Sequence, residues 1–252
     1  AGAFFGMYLA ILIPGVLSRL IPQTRFNLLM VGTIVFALVF TSKRAAIIGL
    51  VVGLLVLGAS LLLSSSKRDK KFGIAMLVMT GLVAPLAYFA FLWGLENIEG
   101  MSWRFGTKFN ENVAEDFQEG FLAENIDAAK TAFFANPIVG VGLGNVAGVI
   151  TLKYEIHSTY LAMLGNGGIL GVFAYLYFMG VHAWQSLRQH GRNAYVRYLH
   201  YYVPMLVGLA VAWGYTYHLR KREFWILFLI VSLVICAARQ AKTTGGEAEM
   251  ER

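Results

Sequence analysis

Long apolar runs constrain this chain more than any other feature of its sequence. Seven of them recur along the 252 residues, at about 3–18, 26–41, 45–64, 72–94, 158–181, 198–217 and 224–238. A helix of about 20 apolar residues crosses the hydrocarbon of a bilayer. Hydrophobic residues make up 58% of the chain and charged residues 14%, whereas soluble domains have about 45–50% apolar residues. The sequence predicts an all-α, multi-span transmembrane helical bundle with about seven spans.

Basic residues lie in the links on one side of the predicted spans. These links are Ser18–Arg25, Lys67–Lys71, His182–Arg197 and Arg239–Lys242. Because cytoplasmic links are enriched in Lys and Arg, this side is predicted to face the cytoplasm. The net charge of +7 is thereby explained without a nucleic-acid partner. The exception is His218–Glu223, which carries three bases on the opposite side.

The opposite side holds one long segment, of about residues 95–156. It contains nine acidic and four basic residues and is predicted to be a large extracytoplasmic loop. The predicted organisation is a single transmembrane domain over residues 1–242, with this loop inserted, and a disordered C-terminal tail over 243–252. The single cysteine excludes a disulfide framework.

The loop contains a second helical pattern. Apolar residues recur at about helical spacing up to Asn136-Pro137, at Phe121, Leu122, Ile126, Ala129, Phe133 and Phe134. This spacing predicts an amphipathic helix on the surface of the outer leaflet. Three glycines follow, Gly140, Gly142 and Gly144, and they allow a tight bend before the chain returns to the bilayer.

Two cations and one imidazole are the candidate reactive groups on the loop side. Lys43 and Arg44 begin the third run with no acid nearby in sequence, and His157 begins the fifth run. A lysine there has an alternative role in reaching the lipid headgroups. The planar guanidinium of Arg44 suits a bidentate phosphate contact. A neutral imidazole can orient or deprotonate a hydroxyl.

Three segments together resemble the O-antigen ligase and O-antigen polymerase superfamily of bacterial polysaccharide assembly, over roughly residues 26–181. The first is Thr41-Ser42-Lys43-Arg44-Ala45, the second is Asn136–Gly144, and the third runs from His157 to Gly171. They occur in the family's order and on one predicted membrane face. The family's external-loop Arg, and the Trp four residues after it, correspond here to Leu122 and Ile126. Arg104, beside Trp103, is the loop cation predicted to substitute for it.

The resemblance implies a metal-independent glycosyltransferase without a cofactor, in the bacterial inner membrane, as part of cell-envelope polysaccharide biosynthesis. It would transfer a glycan from an undecaprenyl diphosphate carrier to a lipid, protein or glycan acceptor outside the cytoplasm. Its catalytic residues would be Arg44 and His157. Substrate contacts are expected from Lys43, Arg104, Gly142, Asn145 and Tyr160, the last by stacking on a sugar or, alternatively, by packing between helices.

Two other classes of function remain open from the sequence. A transporter of small solutes or inorganic carbon is one, although the spans hold few ionisable groups of the kind that ion-coupled carriers need. A non-catalytic subunit of a larger membrane complex is the other, favoured by Lys43 and Ala45 in the first segment. His182, His190, His200 and His218 lack metal-ligand spacing, and we expect them to be solvated or interfacial.

Overall fold

The computed structural model describes residues 2–40, 44–97, 121–142, 156–191, 193–219 and 221–250. These residues form eight helices and no strand, which confirms the all-α prediction. In chain order the helices are α1 (Gly2–Ser18), α2 (Arg25–Phe40), α3 (Arg44–Leu62), α4 (Lys67–Asn97), α5 (Phe121–Ala135), α6 (Thr159–Leu187), α7 (Ala194–Trp213) and α8 (Arg222–Met250).

Each of the seven apolar runs contains a helix over most of its described residues. Within the described residues, three helical segments are long and apolar enough to cross a membrane, namely Ala45–Leu62, Thr159–Leu187 and Arg222–Lys242. Two shorter apolar segments are Phe4–Ser18 and Arg25–Leu38. The number of seven spans stays a prediction. Helix α8 also includes residues 243–250, and the disorder predicted for that tail stays a prediction.

The links between helices meet at two opposite ends of the bundle. At one end, called the basic end here, the Arg197 guanidinium donates to the Ser18 carbonyl at 3.2 Å. Serines 64–66 lie beside them around one groove. At the other end, called the loop end, Gly6 of α1 packs on Ala46 of α3. Three of the four basic links, Ser18–Arg25, Lys67–Lys71 and His182–Arg197, therefore share one end of the bundle, and the position of the fourth stays a prediction.

Helix α3 lies centrally, where small residues let it approach its neighbours closely. A Cβ on Gly49 would lie 2.7 Å from the Gly208 carbonyl oxygen of α7, and one on Gly58 would lie 2.8 Å from Leu77 of α4. Small residues at such crossings allow backbones to pack without side chains between them. Beyond the crossing, α7 and α8 enclose large buried side chains, which include Tyr202, Trp213, Phe224 and Leu227.

The fifth predicted span is not one straight helix. Gly168 interrupts α6 with φ 58° and ψ −156°. The rings of Tyr160 and Tyr175 nevertheless meet, with centroids 6.0 Å apart, whereas 15 residues of straight helix extend about 22 Å. The helix is therefore folded sharply at Gly168 into a first half, residues 159–167, and a second half, residues 169–187. The apolar run predicted its helicity but not this break.

Candidate functional site at the loop end

Helix α5 packs on the first half of α6 through small residues. Ala128, Ala129 and Ala132 are buried, and a Cβ on Gly165 would lie 3.2 Å from the Cβ of Ala132. The helix was predicted correctly, and its position on the outer leaflet stays a prediction. Phe134 is 75% exposed, since it lies away from the contact that the alanines make with α6.

The segment 136–142 docks into the break of α6 through its backbone. Val141 and Gly142 donate to the carbonyls of Gly165 and Asn166, at 3.1 and 2.9 Å. In return, Ile169 and Leu170 donate to the carbonyls of Pro137 and Ile138, at 2.9 and 3.1 Å. A break removes hydrogen bonds from a helix, and buried backbone groups must find other partners. The bend supplies four of these bonds.

Two glycines make this docking possible. Gly140 has φ 69°, and a Cβ there would overlap the backbone of Asn166. Gly168 has φ 58°, and its Cβ would lie 2.6 Å from the carbonyl oxygens of Pro137 and Ile138. Glycine alone adopts such backbone conformations routinely and leaves room for another backbone. The bend is thus one side of a backbone interface, and residues 165–170 of α6 form the other side.

His157 lies just before the first half of α6. Its backbone N–H donates to the side-chain oxygen of Asn125 in α5, at 2.7 Å. Asn125 is buried and His157 is exposed. Ser158 then caps the helix, because its hydroxyl accepts from the Leu161 N–H. The predicted catalytic imidazole is therefore on a backbone held at a helix start and accessible from outside.

Thr159 joins this helix start to the α7–α8 link. Its N–H and its hydroxyl both donate to the Thr216 carbonyl, at 3.2 and 2.6 Å. The hydroxyl also accepts from the His218 N–H at 3.2 Å. These bonds fix the position of His157, two residues away, relative to the end of α7.

His218 is buried, which sequence reasoning missed. It is 2% exposed, and its Nε2 lies 2.7 Å from the Thr216 hydroxyl. Burial, with a smaller contribution from the charge of Lys221, lowers the pKa of His218 to about 4. Its Nδ1 has no hydrogen-bond partner among the described residues. The expectation of solvated or interfacial histidines is wrong for His218 and for the buried His182, while His190 and His200 are exposed.

Helix α3 begins at the same end of the bundle. A cavity of about 10 Å³ is lined by Ala46 and Gly49 of α3 together with Thr216 and His218. Arg44 is the first residue of α3, which puts its backbone at the loop end. Thr216 therefore contacts the start of α6 through Thr159 and shares a cavity wall with the start of α3.

Among the predicted substrate contacts, Tyr160 lies within the bundle. Its hydroxyl donates to the Ala210 carbonyl of α7 at 2.7 Å, and its ring meets Tyr175 edge to face. These contacts favour the alternative of helix packing, and sugar binding by Tyr160 stays a prediction. The Gly142 N–H is taken by Asn166. Lys43, Arg104 and Asn145 lie outside the described residues.

The described part of the molecule is therefore a helical membrane-type bundle, with a broken helix and a docked loop at one end. The family model for O-antigen ligase matches residues 28–176, more than half of the chain. The chain belongs to the O-antigen ligase family. No curated protein and no solved structure matches it.

Proposed function

We propose that this protein transfers a glycan from a polyprenyl diphosphate carrier to an acceptor hydroxyl at the loop end of the bundle. Membership of the O-antigen ligase family supports the class of reaction. The observation that carries the proposal for this chain is the shared end: Thr216 shares a cavity with Ala46, two residues after Arg44, and bonds to Thr159, two residues after His157.

The proposed reaction is a single displacement at the anomeric carbon. The acceptor oxygen forms a bond to this carbon as the bond to the carrier's diphosphate breaks. His157 takes the proton of the acceptor hydroxyl, and the diphosphate leaves with the bonding electrons. Arg44 stabilises the negative charge that grows on the leaving diphosphate through charge-assisted hydrogen bonds.

The rigid surroundings of His157 suit this role. Asn125 holds its backbone, Ser158 caps the following helix, and Thr159 ties that helix to α7. Such supports reduce the motion of a catalytic group, and a displacement of about 1 Å from productive geometry costs on the order of 100-fold in rate.

We further propose seven spans, with the loop end outside the cytoplasm and the basic end inside.

The test uses the full-length protein in phospholipid vesicles with a polyprenyl diphosphate-linked glycan as donor. Arg44→Ala and His157→Ala should each reduce transfer by at least 100-fold, as loss of a transition-state contact does. His190→Ala is the matched control, because His190 is exposed in the link at the opposite end and should leave transfer unchanged. Thermal unfolding in detergent checks that each variant folds.

Full transfer by both loop-end variants would refute the assignment of these residues. Folded wild-type protein that transfers nothing, and that copurifies in fixed stoichiometry with other membrane proteins, would favour the subunit alternative instead. Solute uptake that survives Arg44→Ala would favour the transporter.

A further inference from the structure

A large groove opens at the basic end, away from the proposed transfer site. Its volume is about 1060 Å³, and its walls come from the α1–α2 link, the α3–α4 link with the first turns of α4, and the start of α7. Four cations line it, namely Arg19, Arg68, Lys71 and Arg197. One carboxylate accompanies them, that of Asp69.

Among the described residues that line the groove, Asp69 is the one group that offsets its four positive charges. Asp69 accepts a hydrogen bond from the Ser64 hydroxyl at 2.9 Å. Where the structure describes side chains, the one ion pair is Lys130–Asp127, in α5. The groove therefore combines four cations and serine hydroxyls, and these are the groups that bind phosphate oxygens.

Arg19, which lines the groove, ends helix α1 in a left-handed backbone conformation. Arg19 has φ 65°, the one non-glycine positive φ among the described residues. Such a conformation costs an arginine roughly 1 kcal/mol more than a glycine. The position is fixed because the Arg19 N–H donates to Val16 at 3.2 Å and the Ile21 N–H donates to Gly15 at 2.9 Å. A guanidinium is thus present where the backbone alone would favour glycine.

Apolar side chains beside the groove indicate that the ligand is amphiphilic. Phe72 lines the groove and is 43% exposed, and Met79, two turns of α4 further from the basic end on the same face of the helix, is 58% exposed. A soluble phosphate would leave these side chains uncovered. A phospholipid would place its headgroup among the cations and its acyl chains along α4.

We propose that the basic-end groove binds the phosphate headgroup of an anionic phospholipid. Basic grooves between helix ends are known to recognise anionic lipid headgroups, each Lys or Arg near the surface adding about 1 kcal/mol. This inference is independent of glycan transfer, since none of its residues lies at the loop end.

The experiment measures lipid retention by native mass spectrometry and thermal unfolding of the full-length protein in detergent. The probes are phosphatidylglycerol, phosphatidylcholine and inorganic phosphate. Phosphatidylglycerol should be retained and should raise the unfolding temperature, and the other two should do neither. In Arg68→Gln/Lys71→Gln, affinity for phosphatidylglycerol should fall by roughly tenfold or more.

The matched control is Lys67→Gln/Lys70→Gln. It removes the same charge from the same turns of α4, but Lys67 and Lys70 do not line the groove, and lipid retention should stay at the wild-type level. Arg19→Gly supplies a variant that folds without backbone strain at that position and should also bind less lipid.

Equal losses in the two double variants would overturn the groove as a site, since they would indicate attraction by overall charge. Equal retention of phosphatidylcholine would overturn the role of the cations. Stabilisation by inorganic phosphate to the same degree as by phosphatidylglycerol would overturn the lipid assignment.

Discussion

The backbone amide of His157 donates to the side chain of Asn125, 32 residues earlier in the chain, at a distance of 2.7 Å. This bond links α5 to His157, which lies two residues before the start of α6. The catalytic imidazole proposed for this family member thus depends on a helix in the long loop for its position.

Asn125→Ala should therefore impair glycan transfer without removing a reacting group. The change leaves a backbone donor without its acceptor, at a cost of about 1–3 kcal/mol. We expect a lower kcat at nearly constant KM for the acceptor, together with a lower unfolding temperature. The control is Thr131→Ala in the same helix, whose exposed hydroxyl bonds to its own helix at Asp127. Equal kcat values in Asn125→Ala and wild type would contradict this positioning role.

Gly168→Ala should disrupt the docking of the bend. The added Cβ meets two carbonyl oxygens at 2.6 Å on a backbone with φ 58°, and we expect a loss of stability of at least about 1–3 kcal/mol. The neighbouring Gly167 has nothing within 4 Å of an added Cβ. Gly167→Ala should keep or raise the unfolding temperature. Equal unfolding temperatures for the two variants would argue against the break.

Gly208→Leu should separate α3 from α7. A Cβ at this position would lie 2.7 Å from the Gly53 N and 2.8 Å from its Cα, so that even alanine requires the backbones to move. We expect loss of folded protein, because a packed crossing does not absorb added volume without strain. Gly81→Leu is the control, since an added Cβ on Gly81 meets nothing within 4 Å. The yield of monodisperse protein in detergent reports the result.

Acid should destabilise the fold through His218. In the unfolded chain its imidazole takes up a proton near pH 6.5, whereas the buried imidazole resists protonation until about pH 4. The stability it contributes is complete above pH 6.5 and is lost as the pH falls from 6.5 towards 4, by about 2 kcal/mol at pH 5. Thermal unfolding of wild type and His218→Gln at pH 7.5 and pH 5 measures this loss.

Between pH 7.5 and pH 5, the unfolding temperature of His218→Gln should fall by less than that of the wild type. His190→Gln, at an exposed position, should behave as the wild type does. If the difference between the two pH values is the same in all three proteins, His218 is not the titrating group.

Apolar runs predicted where helices form, since the bilayer requires long uncharged segments whose backbone bonds are satisfied internally. All seven runs contain a helix over most of their described residues, and α5 ends at Ala135, beside the predicted stop at Asn136-Pro137. The break at Gly168 was not predictable in the same way. Asn166-Gly167-Gly168 is compatible with a continuous membrane helix. The carbonyls that accept from the backbone after the break belong to residues 137 and 138, about 30 residues earlier in the sequence.

The candidate site was also predictable only in part, because some of its contacts join residues that are far apart in the sequence. His157 and Arg44 stand at the starts of helices, and a local pattern marks such positions. His218 is a different case, because its burial results from contacts with Thr159, 59 residues earlier, and with α3 across a cavity. A single charged link in the sequence gives no sign of these contacts.

The interrupted sixth helix also bears on how the protein is made. Taken alone, its two halves would leave backbone amides and carbonyls unpaired at the break, and inside a membrane each such group costs several kcal/mol. Their partners at residues 137–142 leave the ribosome first, so the complementary segment already exists when this helix enters the bilayer. Insertion of the helix in its native bent form is therefore coupled to prior synthesis of the loop. A chain deleted for that loop segment would have to straighten the helix or fail to integrate it.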